Sequence, residues 1–503
     1  MSGAEGKLES GQMREWISNK IKQDEIDKYL VDGKCFIDDA LIERELSQAV
    51  EPDAQLVRDI IAKSLSIKSL SAQETAVLLH VEDADLLAEM AEAAWAVKHK
   101  VYDNRIVTFA PLYLSNLCVN NCEYCGFRSS NSNERRRRLT MDEVRRETEI
   151  LAGEIGHKRL IVVYGEHPLS DADYIAESIR TIYDVKVKSR KGIGCIRRCN
   201  VNAAPLSIAD LRMLGEVGLG TFQVFQETYH RDTYSKVHPA NTIKGNYLWR
   251  LYCMHRSMEA GVDDVGLGVL FGLYDWKFEV MALIHHALEL EKRFGIGPHT
   301  ISFPRIEPAD NTPFSINHKY AINDEEYKKL VTVLRLAVPY TGLIITARES
   351  AKIRREVIPL GCTQTDASSR IGIGAYVDTE GEQEGDRQQF ILGDNRDLDD
   401  VIRELAESGY ITSFCTAGYR CGRTGKCIMD LLRTGAEGKF CKLNAVLTFR
   451  EWLDDFASDA TKAVGEKVVA SEIQEISEQM PAVYDKFMES YKRIVDGERD
   501  VYF

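Results

Sequence analysis

The stretch IVTFAPLYLSNLCVNNCEYC, residues 106–125, decides how the rest of the chain is read. Its first half is an apolar, β-branched run of strand length. Its second half sets cysteines at 118, 122 and 125 directly after that run. Seven more runs of the same kind follow: RLIVVY (159–164), IRRCNVNA (196–203), TFQVFQ (221–226), DVGLGVLFG (264–272), HTISFPRI (299–306), GLIITAR (342–348) and a less regular piece at 363–376. Amphipathic stretches between them predict helices over 140–154, 171–185, 207–217, 243–261, 277–294, 324–337 and 351–359. This alternation is the signature of an α/β fold with a parallel sheet, and eight units in about 270 residues predict a (β/α)8 TIM-type barrel. Polar residues gather just after the runs: Gly165, Glu166 and His167, then Asn202, Gln226, Glu227, Arg305, Arg348 and Ser369. In a barrel these converge on one rim, where catalytic groups sit.

Working outward, residues 1–95 read as a helical extension, 96–380 as the barrel and 381–503 as a mostly helical C-terminal domain. The charged segment GEQEGDRQQFILGDN (381–395) reads as the linker to that domain, which carries a cysteine-rich segment at 411–449. A net charge of −14 argues against binding nucleic acid or an anionic membrane through a global field. No apolar leader or spanning run is visible, so a soluble, cytoplasmic protein is expected. Twelve cysteines then read as metal ligands or buried thiols rather than disulfides. The run Arg135–Arg138 stands before Thr140 and Glu143, a capping-box pair, and reads as a solvated loop or helix entry.

A closed structural zinc site takes four ligands. Three thiolates on a [4Fe–4S] cube leave one iron open to a small molecule. The spacing C-x3-C-x2-C, with aromatic Tyr124 before the last cysteine and a first barrel strand before the first, resembles the radical S-adenosylmethionine (SAM) superfamily. That resemblance implies a [4Fe–4S] cluster on Cys118, Cys122 and Cys125, with Gly165 and Glu166 receiving the SAM methionine ammonium.

Longer segments resemble one branch of that superfamily, the HydG-type tyrosine lyases. These are APLYLSNLCVNNCEYC, IRRCNVNAA, GTFQVFQETYH, GPHTISFPRIEPAD and SFCTAGYRCGRTG, in order over roughly residues 75–503. The resemblance implies cleavage of the Cα–Cβ bond of L-tyrosine, or of a close aromatic amino acid, to p-cresol and dehydroglycine. It implies a low-potential electron donor such as ferredoxin or flavodoxin, and possible hydrogenase-maturation partners. It places Arg305 at the substrate carboxylate; Glu307, two residues on, and Ser369, in the eighth run, are further catalytic candidates on the same rim. It places Tyr124, Arg198, Asn202, Gln226 and Glu227 around SAM, and His299 beside a second cluster.

Two departures stand out. The family's second cluster uses a C-x2-C-x22-C pattern, which here gives Cys415, Gly418 and Cys441, with Cys421 and Cys427 nearby. A second iron–sulfur cluster with Cys421 or Cys427 as the replacement ligand, Cys421 being favoured, a zinc site and metal-free thiols all stay open. In PRIEPAD, Glu307 stands where the family has arginine. Strand alternation would set it on the same face as Arg305, where the two could pair. Three functions follow: a tyrosine lyase that stops at dehydroglycine, a full hydrogenase maturase making an iron–CO–cyanide product at a rearranged second cluster, and a non-catalytic cluster scaffold.

Overall fold

The computed structural model describes residues 10–49, 51–378, 388–420, 425–434 and 437–503. Eight parallel strands form the barrel: β1 Arg105–Ser115, β2 Arg159–Tyr164, β3 Arg198–Asn202, β4 Phe222–Gln223, β5 Val265–Gly268, β6 Thr300–Ser302, β7 Gly342–Ile345 and β8 Gln364–Asp366. Each strand pairs with the next, and β8 returns to β1 across Val107–Phe109 to close the ring. Every predicted run contains a strand. Most strands are shorter than their runs, because the polar residues at the run ends leave the ladder to build the rim.

Helix boundaries follow local chemistry. Thr140 and Glu143 form the predicted capping box on the helix Met141–Glu149. The run at 243–261 divides at Tyr252 into Tyr247–Leu251, whose start is capped by the Asn246 side chain accepting from the Trp249 N–H, and Cys253–Glu259. Gly156 has φ +90°, and a Cβ there would lie 2.5 Å from the Phe456 ring, so only glycine lets the C-terminal helices approach β2 this closely.

A ninth strand, β9 Ile411–Ser413, was not expected. It extends the sheet beyond β1, pairing in parallel with Arg105–Val107. The stretch around it reads as a cysteine motif, and three residues carry little strand signal of their own. One hydrophobic core runs from the N-terminal helices through the barrel into the C-terminal helices, so the boundaries drawn near 95 and 380 do not divide the packing. Among the described residues no helix is long and apolar enough to cross a membrane.

The C-terminal helix Glu437–Asp455 is bound to the barrel base by a buried ion cluster. Glu451 accepts from Lys158 Nζ at 2.7 Å and is also paired with Arg197. Burial pushes the Glu451 carboxyl up, but Lys158 and Arg197 outweigh it and hold the carboxyl well below the usual range. A carboxylate depressed in this way stabilises the fold above its ordinary titration range, and the contribution disappears as pH falls. Glu451→Gln leaves two buried cations underpaired and is expected to cost about 3–5 kcal/mol at pH 7. In thermal unfolding its deficit against wild type should shrink as the pH is lowered through the acid range. A constant deficit would assign the loss to packing instead.

Candidate active site

The C-terminal ends of the strands enclose a cavity of about 210 Å³. Cys118, Cys122 and Cys125 all line it, on the loop that leaves β1. The loop is braced from outside by Arg136, whose guanidinium donates to the carbonyls of Asn116, Phe127 and Arg128. That arginine belongs to the run expected to be solvated. Its neighbours Arg137 and Arg138 are also engaged, with Glu143 and the Leu169 carbonyl.

Asn120 organises the first end of the cavity. Its Nδ2 donates to Glu166 Oε2 at 2.6 Å, and its Oδ1 accepts from the Lys244 backbone N–H at 3.0 Å. Glu166 Oε1 is buried without a hydrogen-bond partner among the described residues, an acceptor facing a cavity lined by three thiols. Burial raises the Glu166 carboxyl, and a bound ammonium would reverse that shift. Gly165 must be glycine, since a Cβ would come within 2.3 Å of the Leu117 carbonyl oxygen. Glu227 lies at φ +72° and is held there by Lys244 Nζ at 2.8 Å and Arg250 at 3.3 Å. The Tyr124 hydroxyl meets His238 Nε2 at 2.7 Å. His238 Nδ1 faces the Tyr234 carbonyl at 3.1 Å, so Nδ1 carries the proton and Tyr124 donates to Nε2.

The second end is built around Arg348. Its guanidinium lies 3.2 Å from the centroid of the Phe390 ring. It lines the cavity and closes no ion pair among the described residues. Phe390 belongs to the segment read as a linker. In the fold, its residues 388–394 cross the cavity mouth. Gly126 N donates to the Gln389 carbonyl, Gln389 Nε2 reaches Cys125 Sγ at 3.5 Å, the Tyr113 hydroxyl donates to Gln389 Oε1 at 3.0 Å, and Gly393 N donates to the Ala347 carbonyl.

Several expected site residues are placed differently. Arg305 points away from the cavity into a fork with both oxygens of Glu349 and a further contact to Asp324 Oδ1 at 2.9 Å. It therefore does not pair with Glu307, which lines the cavity together with Ile306. The chain has left the β6 ladder at Ser302, so strict alternation no longer sets its faces. Arg198 is the first residue of β3, and so lies at the opposite end of the barrel, bonded to Asp264 at 2.8 Å. Gln226 is buried outside the cavity lining, whereas Gln223, Phe225 and Glu227 line it. Ser369 sits behind the wall and donates to Asp366 Oδ2 at 2.5 Å. Asn202, Tyr124, Gly165, Glu166 and Glu227 do line the cavity. Lys244, Arg250 and Gln389 were missed: Lys244 and Arg250 lie within the run read as one continuous helix, on the turn Ile243–Gly245 and the helix Tyr247–Leu251, and Gln389 in a polar segment read as a linker.

At the barrel base, Cys415 and Cys441 line a small second pocket with Arg105 and Gly418. His299 lies nearby, 3.7 Å from Asp264 and within the field of Arg159, whose guanidinium donates to the Cys415 carbonyl. Cys421 lies outside the described residues, and Cys427 is exposed. Among the described residues no three His, Cys, Asp or Glu side chains close on a single ion-sized point. A cube differs from a lone ion in being gripped by thiols spread around its faces, and the three thiols border one open cavity beside Glu166.

A parallel barrel with such a loop after its first strand defines a class, the radical SAM enzymes. Residues 112–286 match the Radical SAM superfamily and residues 302–411 the Biotin and Thiamin Synthesis associated domain. The chain is 31% identical over 353 residues to the 2-iminoacetate synthase of Salmonella typhimurium, covering 69% of this chain and 88% of that protein. A crystal structure of HydG, a maturase of the [FeFe]-hydrogenase, superposes with a TM-score of 0.88 at 47% identity, covering 93% of this chain and all of that one. HydG from Carboxydothermus hydrogenoformans gives 0.74 at 35% identity, covering 91% and 98%. The chain belongs to the radical SAM family of 2-iminoacetate synthase and HydG.

Proposed function

We propose that the chain cleaves the Cα–Cβ bond of L-tyrosine, giving p-cresol and dehydroglycine. Dehydroglycine is 2-iminoacetate, the compound in the name of its synthase relatives. The observation that carries this reading is the polarity of one cavity: three thiols and the Glu166 acceptor at one end, and at the other the Arg348 guanidinium, neither Glu166 Oε1 nor Arg348 finding a hydrogen-bond or ion-pair partner among the described residues. A [4Fe–4S] cluster chelated by SAM would supply, when bound and reduced, a 5′-deoxyadenosyl radical able to take a hydrogen atom. Cys118, Cys122 and Cys125 would hold that cluster, and Glu166, steadied by Asn120, would take the methionine ammonium. Arg348 rather than Arg305 would grip the substrate carboxylate, through two parallel charge-assisted bonds. Gln388–Asp394 would roof the site and keep water from it.

The test is anaerobic incubation of reconstituted protein with SAM, dithionite and tyrosine. Release of p-cresol with 5′-deoxyadenosine is expected. SAM cleavage without p-cresol would remove tyrosine as the substrate, and SAM binding without cleavage would leave a scaffold.

A second reading, completion of the maturase reaction at the barrel base, is favoured by Cys415 and Cys441 sharing one pocket near His299. Cyanide released from tyrosine would establish it.

A further inference from the structure

Among the acidic side chains that line the cavity, Glu307 differs from the rest. Glu166 is bonded to Asn120, Glu227 is paired with Lys244 and Arg250, and Asp366 accepts from Ser369 and the Ala347 N–H. The Glu307 carboxyl makes no hydrogen bond or ion pair among the described residues, although it is half-buried. It lies within the field of Arg348, but no ion pair closes between them. An acid and a base thus share one end of the cavity, each with free bonding capacity toward it. An α-amino acid head carries the complementary pair, a carboxylate and an ammonium on one carbon.

The chemistry gives the carboxyl a task. The amino group of tyrosine is an ammonium at neutral pH, and a hydrogen atom leaves a neutral amine far more readily than a cation. On the tyrosine-lyase reading above, we propose that Glu307 accepts the ammonium proton of the bound substrate and admits only substrates with a free α-amine. The step balances: the N–H bond breaks heterolytically, the proton moves to the Glu307 carboxylate, and the electron pair stays on nitrogen. The products are R–NH2 and a neutral carboxylic acid. Arg348 keeps the carboxylate in place meanwhile. Four charged groups set the balance: Glu307 itself, Glu349, Arg348 and Arg305. Burial and then Glu349 push the Glu307 carboxyl up to about 7, with Arg348 and Arg305 opposing. An acceptor poised there matches its working pH.

Two measurements on the full-length, cluster-loaded enzyme test this. The first is the pH profile of kcat/KM for p-cresol release. Wild type should lose activity as pH falls below about 7, where Glu307 becomes protonated. Glu307→Gln should be slower by at least about 100-fold at pH 7 and recover roughly tenfold per pH unit as the free amine becomes available. The second needs no turnover: equilibrium dialysis of tyrosine against 3-(4-hydroxyphenyl)propionate, its des-amino analogue, on the SAM-loaded protein. Wild type should prefer tyrosine by about tenfold or more, the worth of one charge-assisted bond, and Glu307→Gln should bind both about equally.

A Gln variant whose profile runs parallel to wild type, or whose preference for tyrosine is intact, overturns the proposal. Iron content and substrate-free formation of 5′-deoxyadenosine check that the variant is loaded. If it is not, Glu307→Asp decides, since it must keep both the acid limb and the preference. Wild type that yields no p-cresol removes the lyase reading alone, and the dialysis comparison still reads Glu307.

Discussion

Chains carrying Cys118→Ala, Cys122→Ala and Cys125→Ala together should bind about four fewer irons than wild type after anaerobic reconstitution, and should form no 5′-deoxyadenosine. The three thiols line one cavity and are presented by one loop, so on the proposed assignment losing them removes the protein ligands of that cube. Burial, with the acidic groups nearby, holds Cys118 and Cys122 in the protonated form, Cys122 up to about 12. Bound iron, a strong local positive charge, deprotonates such ligands and makes loading pH-dependent. The same experiment counts the clusters. A fall from about eight irons to about four would mean that the barrel base holds a second cluster, with Cys415 and Cys441 completed by another ligand. A fall from about four to none would leave one cube and a lyase without the maturase step. Retention of iron by the triple variant at the wild-type level would refute the assignment.

Arg348→Ala should raise KM for tyrosine and lower kcat/KM by about 100-fold or more, while substrate-free SAM cleavage survives. Two charge-assisted bonds to a carboxylate, at about 1.5–3 kcal/mol each, account for a loss of that size. Arg348→Lys should recover little, because an ammonium cannot reproduce the planar fork stacked on Phe390. Arg305→Ala should behave differently. It breaks the fork with Glu349 and leaves that carboxylate buried, so apparent Tm should fall while KM stays within a few-fold. The opposite pattern, KM lost with Arg305 and kept with Arg348, would restore the assignment made from the sequence.

How far the sequence could be read depends on the link in question. The barrel was legible because buried strands must be apolar and β-branched whatever their neighbours, as in RLIVVY, where strand and run coincide at Arg159–Tyr164. The cysteine loop was legible because its three thiols are local in sequence. Arg305 and Arg348 show the limit. Both follow a strand, so both belong to the same rim, but which one faces the cavity is set by Glu349 and Asp324, partners distant in sequence. Arg198 and Gln226 fail for a related reason: proximity to a strand does not say which end or face a side chain takes. Gln388–Asp394 read as a linker because it acts through backbone groups, one ring and isolated polar side chains such as Gln389, which leave no periodic pattern in the sequence.

The unexpected pairing of β9 with β1 bears on how the chain is made. β1 leaves the ribosome about three hundred residues ahead of the strand that covers its first residues. Until Ile411–Ser413 arrives, the start of β1 has an open side: the Val107 N–H is met by the Thr363 carbonyl, but the pairing with β9 is missing, the kind of edge that recruits strands from other chains. Nascent chains halted before residue 411 should therefore depend on chaperones, and a gene shortened to the barrel alone should yield aggregates rather than a smaller enzyme. In this fold the last quarter of the polypeptide supplies a late partner to its first strand.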